Sequence, residues 1–267
     1  MSSRITILGS QEKELKDWLK SHPENHERGA VILFRRISRP VENLARSDRF
    51  IAVDIIKMEG DWVLDSSRTH FKINMRKFPK IYFRCESENL ELGFVHNHPD
   101  GFLGFSKMDD LNEGNILKGL SGCNGIDSYL ISLVLCEDNW IGRIRQGIVP
   151  ENIIDVRHII ILGDSIEIHG IEPSEGSPEN LKRQEIAFGL PFNQKLSSLR
   201  VAVIGLGGTG SPVATLLART GVGELILIDG DDLESSNMNR VRGYTKEDVG
   251  KKKAKSLSNF TISQEGI

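Results

Sequence analysis

The chain has 267 residues, enough for about two domains, and with 39% hydrophobic and 27% charged residues it has the balance of a packed globular protein rather than a disordered one. Its 34 basic and 37 acidic residues leave a net charge of −3, which excludes the broad basic footprint of a nucleic-acid or membrane-surface binder. The longest apolar run, Tyr129 to Cys136, is far short of the ~20 residues of a bilayer-spanning helix, and Ile5 to Leu8 is too short for a signal peptide, so a cytoplasmic protein is expected.

In chain order, Leu15, Trp18 and Leu19 have the spacing of an amphipathic helix, and Ala30 to Phe34 reads as a short buried strand. Helix then strand is the expected opening of a first domain. Further strands are expected at Phe50 to Ile56, Gly93 to His96, Ser128 to Cys136 and Trp140 to Ile144, with a helix between Ser106 and Leu120. This order is that of a mixed α/β or α+β fold. Cys85, Cys123 and Cys136 are odd in number and form no C-x-x-C, so all three are expected as small buried apolar side chains rather than disulfides or a zinc knuckle.

His96-Asn-His98-Pro99 is the first segment that carries chemistry. Two histidines two apart at a strand end share a face, and the proline stops the strand so that the imidazoles meet a loop. A glycine-containing turn then allows Asp109, in the first turn of the next helix, to add an oxygen ligand. Three protein ligands with a fourth position open is the arrangement of catalytic zinc. Glu27, just ahead of the buried strand, is the candidate base, although Glu24 lies close by. Ser106 is the candidate donor to a developing oxyanion, and Ser106-x-x-Asp109 also has the spacing of a helix capping box.

Glu27 followed by H-x-H-P-x6-S-x-x-D resembles the JAMM (JAB/MPN) metalloprotease family over roughly residues 10 to 150. The resemblance implies a zinc-dependent hydrolase of peptide or isopeptide bonds at the tails of ubiquitin-like proteins. His96, His98 and Asp109 would ligate Zn2+, Glu27 would serve as acid and base, and Ser106 would steady the oxyanion.

From residue 166 to 180 Pro, Gly, Ser and acidic residues gather, which predicts a linker between a first domain at 1–165 and a second at 181–267. A polar helical segment follows, then a strand from Leu199 to Ile204 that runs into Gly205-x-Gly207-x-x-Gly210, a helix, and a strand from Glu224 to Asp229. Glycines between strand and helix admit a tight turn, and the helix N-terminus attracts phosphate. Asp229, 24 residues after Gly205, stands where a carboxylate reaches a ribose hydroxyl. Asn237, Arg240 and Lys253 are suited to holding a triphosphate.

This stretch resembles the ThiF-type, ubiquitin-activating family from about Leu181 to Lys255, with Val241 departing from the usual glutamine. The family adenylates the C-terminal glycine of ubiquitin-like or sulfur-carrier proteins with ATP and Mg2+. By that resemblance Gly205, Gly207 and Gly210 form the phosphate loop, Asp229 contacts ribose, and Asn237, Arg240 and Lys253 contact phosphate. Arg183 would reach the nucleotide of the other protomer in a homodimer. The 68 residues from 200 to 267 hold only part of a doubly wound domain, so a partner or further sequence is expected to complete an otherwise incomplete Rossmann-like sheet.

The leading expectation is therefore a JAMM-type isopeptidase fused to part of an adenylating domain. The alternatives are a ubiquitin-like-protein-activating adenylyltransferase completed from elsewhere, and a non-catalytic module that docks such a protein.

Overall fold

The computed structural model describes residues 3–39, 47–147, 153–170 and 176–265. The chain divides into two compact units, Met1–Glu172 and Pro173–Ile267.

The first unit opens with a strand, β1 (Ser3–Leu8), followed by α1 (Gly9–Leu19), β2 (Gly29–Arg39), β3 (Ser47–Lys57), β4 (Val63–Ser66) and β5 (Phe71–Ile73). There follow α2 (Pro79–Glu88), β6 (Glu91–Asn97), α3 (Lys107–Asn124), β7 (Tyr129–Cys136), β8 (Asn139–Gln146), β9 (Ile153–Leu162) and β10 (Ile166–His169). Eight of the strands form one mixed sheet in the order β1, β3, β2, β6, β7, β8, β9, β10, and β1 also pairs with β9, which curls the sheet until its ends meet. β4 and β5 form a separate hairpin.

Period-two alternation assigns the two faces. Ala30, Ile32 and Phe34 of β2 join Leu15 and Leu19 of α1 in one core cluster, while Val31 and Leu33 face the other way and meet Leu92 and Phe94 of β6, Tyr82 of α2 and Ile116 of α3. Every residue of β7 is buried, because it lies between β6 and β8 with both faces covered, and this is why it reads as a continuous apolar run. Trp140 of β8 is 1% exposed, and its indole Nε1 donates to Glu12 Oε1 on α1 at 3.1 Å. Trp140→Ala is expected to cost ~3–5 kcal/mol, chiefly from the cavity it leaves, since Lys16 still pairs with the Glu12 oxygen that the indole released, with Trp140→Phe recovering most of it. Chemical unfolding of both variants measures this, and an alanine variant within about 1 kcal/mol of the parent would contradict it.

Three expectations need correction in this unit. The chain opens on strand rather than helix, since residues 3–8 pair in parallel with residues of β3 and β9. The segment 166–169, expected as linker, is β10, antiparallel to β9, so its alternating Ile166 and Ile168 served pairing rather than a tether. The rest of the expected linker includes residues 171–175, which lie outside the described residues, as do residues 266–267 of the second expected domain. Cys85 and Cys136 are buried, but Cys123 is exposed in the last turn of α3, beyond the core. No helix among the described residues is long and apolar enough to cross a membrane.

The second unit contains α4 (Lys182–Phe188), α5 (Leu190–Ser198), β11 (Arg200–Ile204), α6 (Gly210–Arg219), β12 (Glu224–Ile228) and α7 (Lys253–Glu265). β11 and β12 pair in parallel from Arg200 with Glu224 to Ile204 with Ile228, a βαβ unit with α6 as the crossover. Its main buried cluster is small, built from Val203, Leu206, Ala214 and Leu257. Ile204 is 79% and Ile228 48% exposed at the strand ends, apolar surface that a longer doubly wound sheet would cover.

Candidate functional site

In the first unit, β6 ends at Asn97 and delivers two histidines to one spot. His96 belongs to the Phe94 face of β6, and its ring stacks on Phe94 with centroids 5.1 Å apart. His98, beyond the strand end, is anchored by its amide to Leu135 O of β7 at 2.9 Å. The segment holding Glu27 is tied to the same strand end, because the Arg28 amide donates to Asn97 Oδ1 at 2.7 Å and Gly29 pairs with His96. Asp109 arrives from the first turn of α3, which Ser106 caps: the Asp109 amide donates to Ser106 Oγ at 3.2 Å and the Ser106 amide to Asp109 Oδ2 at 2.6 Å.

The result is a buried cluster. Glu27, His96, His98 and Asp109 are all under 5% exposed, and Glu27, His96 and His98 each present a ligand atom within 4.8 Å of the others. The two Nε2 atoms lie 3.1 Å apart, near the ~3.3 Å edge of a tetrahedron built on metal–nitrogen bonds of ~2.0–2.1 Å. Asp109 Oδ1 is 2.9 Å from His96 Nε2, and Oδ2 is 3.5 Å from His98 Nε2. His98 Nδ1 contacts Phe102 O at 2.9 Å. A carbonyl only accepts, so Nδ1 carries the hydrogen and neutral His98 turns its Nε2 lone pair into the cluster, the tautomer a metal requires. The donor set of two imidazoles and a carboxylate fits zinc.

Burial pushes the Glu27 carboxyl up to about 7, opposed by His98. Burial would also raise Asp109, but its contacts with the His96 and His98 imidazoles hold it well below the usual carboxylate range. His98 is pulled down by burial and raised more by its contacts with Asp109 and Phe102 O. Glu27 also lines a cleft of about 410 Å³ with Trp18, Arg28 and Phe71, which gives this buried acid a route to the surface. Ser106, the candidate oxyanion donor, accepts from the Asp109 amide through its hydroxyl oxygen, so it caps α3 as the spacing suggested and keeps its hydroxyl hydrogen.

In the second unit, the glycine loop is pinned at Leu206. The Leu206 amide donates to Asp229 Oδ2 at 2.6 Å, its carbonyl accepts from the Tyr244 hydroxyl at 3.1 Å, and its side chain is fully buried. Gly205 adopts φ +83° and its amide donates to Ile228 O at 2.8 Å. Ser211 Oγ donates to Gly207 O at 2.7 Å and accepts from the Arg242 amide at 3.0 Å. Burial opposes ionisation of Asp229, but amide hydrogen bonds from Leu206 and Asp231 outweigh it and lower the carboxyl below its ordinary value.

The other expected residues gather around that loop. The Arg240 stem lies over Gly208, and its guanidinium donates to Ser236 O at 2.8 Å. Asn237 is buried and its Oδ1 accepts from the Glu234 amide at 3.4 Å. Lys253, 7% exposed, pairs with Asp231 Oδ2 at 2.9 Å. Arg183 stands apart, exposed on α4, while its neighbour Gln184 ties that helix to Asn193 and Thr220. Sequence reasoning missed Ser211 and Tyr244. Four residues after Gly207, Ser211 had the spacing for a hydroxyl to reach back to a helix-start carbonyl; Tyr244 had no local signal.

Residues 181–262 match the ThiF family. The chain is 43% identical over 72 residues to the adenylyltransferase and sulfurtransferase MOCS3-1 of Zea mays, covering 27% of this chain and 15% of that protein. It is 46% identical over 66 residues to the SAMP-activating enzyme E1 of Haloferax volcanii, covering 25% and 24%. Among solved structures, the tRNA N6-threonylcarbamoyladenosine dehydratase of E. coli is 30% identical over 35% of this chain and 39% of that one, with a TM-score of 0.33. The chain thus spans a quarter or less of the length of these two sequence relatives.

These relatives overturn the expectation of a JAMM-type metallopeptidase, since they are adenylyltransferases, sulfurtransferases and an activating enzyme. The physical reason is that a five-residue pattern specifies a ligand set and not a reaction. What stands is a mixed α/β protein in which residues 181–262 match the ThiF family.

Proposed function

We propose that the second unit is the phosphate-loop part of an ATP-dependent adenylating domain that activates the C-terminal tail of a ubiquitin-like or sulfur-carrier protein, with the rest of that domain supplied outside residues 181–262. The double anchoring of Leu206 by Asp229 and Tyr244 carries this reading, because it fixes the glycine loop open against the N-terminus of α6, ready for a phosphate. In such a domain the tail carboxylate attacks the α-phosphorus of ATP and pyrophosphate leaves. Gly205, Gly207 and Gly210 let the backbone approach the phosphates, and Asp229 takes a ribose hydroxyl. Asn237, Arg240 and Lys253 stabilise the phosphates with Mg2+, and Arg183 reaches the nucleotide of a second protomer. The ThiF match and the named activity of the Haloferax volcanii relative support this reading.

The first unit binds a divalent metal, zinc by its donor set. His96, His98 and Asp109 hold it, and when bound it supplies a Lewis acid. Glu27, buried beside His96 and His98, takes or returns a proton there, and Ser106 retains a hydroxyl hydrogen to donate.

Calorimetric titration of the full chain with Mg·ATP tests the nucleotide reading. Lys253→Ala, which removes a charged phosphate contact worth ~1.5–3 kcal/mol, is expected to weaken binding roughly 10- to 100-fold. No heat from the parent chain, or equal affinity in the variant, would contradict it.

A further inference from the structure

The helix that supplies Asp109 is gripped at its ligand-bearing end by two arginines of β8. Arg143 and Arg145 are two apart on that strand and so leave the same face of the sheet. Arg143 Nε donates to both oxygens of Glu113, at 3.1 and 2.9 Å, and a terminal nitrogen to Asp110 Oδ1 at 2.7 Å. Arg145 Nε donates to Glu113 Oε2 and a terminal nitrogen to Asp110 Oδ1, both at 2.6 Å. Two forks therefore share two carboxylates on the first two turns of α3.

The placement is specific to the ligand. Asp110 follows Asp109 directly, and Glu113 lies one turn further on the same helix face. The Arg143 guanidinium also sits 3.9 Å above the ring of Phe105, the residue before the cap Ser106. Loop, cap and first turn are held from one strand, and Asp109 lies between the held points. Glu113 is fully buried and the Arg145 side chain 6% exposed, so desolvation offsets much of the Coulombic gain. An apolar pair would stabilise the fold as well; it would not fix the rotation and height of α3 as two planar forks do.

We infer that Arg143 and Arg145 are positioning residues of the metal centre, setting the Asp109 carboxylate against His96 and His98; this rests on the metal-centre reading above. Lysine at position 143 keeps the charge but loses the planar fork and its stacking on Phe105.

The metal-free full chain is titrated with Co2+, the visible d–d absorption of the bound ion is recorded, and its release to a chelator is timed. The parent is expected to take up about one Co2+ with the intense band of a tetrahedral site. Arg143→Lys, and Glu113→Gln as a second variant, are expected to fold with the parent's circular dichroism, show a weaker or shifted band, and release the ion roughly 10- to 100-fold faster. A variant with a lowered unfolding midpoint but the parent's spectrum and release rate would overturn the inference, because a merely structural role leaves the bound ion unchanged. A folded parent chain that takes up no Co2+ would overturn the metal reading itself, and the inference with it.

Discussion

Purified protein is expected to carry close to one zinc per chain, and His98→Ala close to none, by elemental mass spectrometry. His98 is one of three groups converging at ligand distance, and a site with one imidazole and one carboxylate left holds zinc weakly. The substitution also frees Phe102 O from its ring partner, a local loss at an exposed loop tip worth only about 1 kcal/mol. The fold is therefore expected to survive. Asp109→Ala is the less clean variant, since it removes a carboxylate that also accepts the Ser106 amide and so weakens the start of α3 by ~1 kcal/mol. Asp109→Asn keeps an acceptor for that amide and removes the charge. Loss of zinc in Asp109→Asn with an unchanged unfolding midpoint would assign Asp109 as a ligand and not only a cap partner. Unchanged zinc in His98→Ala would contradict the assignment.

The second large effect is expected at Gly210, the first residue of α6. A Cβ there would lie 1.7 Å from Gly205 O and 2.9 Å from Gly205 C, backbone that cannot swing aside like the end of a side chain. Gly210→Ala must either open the loop or push α6 off β11, and overpacking of this kind costs ~1–3 kcal/mol or more. With its main buried cluster limited to the neighbourhood of Val203, Leu206, Ala214 and Leu257, the second unit has little stability to absorb that loss. Scanning calorimetry should show its transition moving down by several degrees while that of the first unit stays, and Mg·ATP binding should fall at least about tenfold. An alanine variant with the parent's transition and affinity would show that the close approach of Gly210 to Gly205 is not needed.

The two candidate sites differ in how much of them was written locally. The glycine loop is contiguous, and its three glycines, the following helix and Asp229 at the end of the next strand could be read directly, because a tight strand-to-helix turn demands glycine at fixed spacing. His96 and His98 were legible for a similar reason, as a strand places residues two apart on one face, and Ser106-x-x-Asp109 marked the helix start that brings Asp109 beside them. The same local logic misled where it was asked for more. It took the five-residue pattern as a reaction, read 166–169 as tether, and passed over residues 3–8 as strand.

By itself, then, the sequence determined the elements with strong local period, the pairing of His96 with His98 on one strand end and the glycine turn between strand and helix, all of which follow from spacing within a few residues. Only the tertiary structure decided the closure of the sheet, where β1 pairs in parallel with β9 some 150 positions away. It also decided the grip of Arg143 and Arg145 on α3 and the bond from Tyr244 to Leu206. The physical reason is common to all three. Which strand edge stays free for a partner, and which buried carboxylate or carbonyl still lacks a donor, is settled only when distant segments pack and every buried polar group must find a partner.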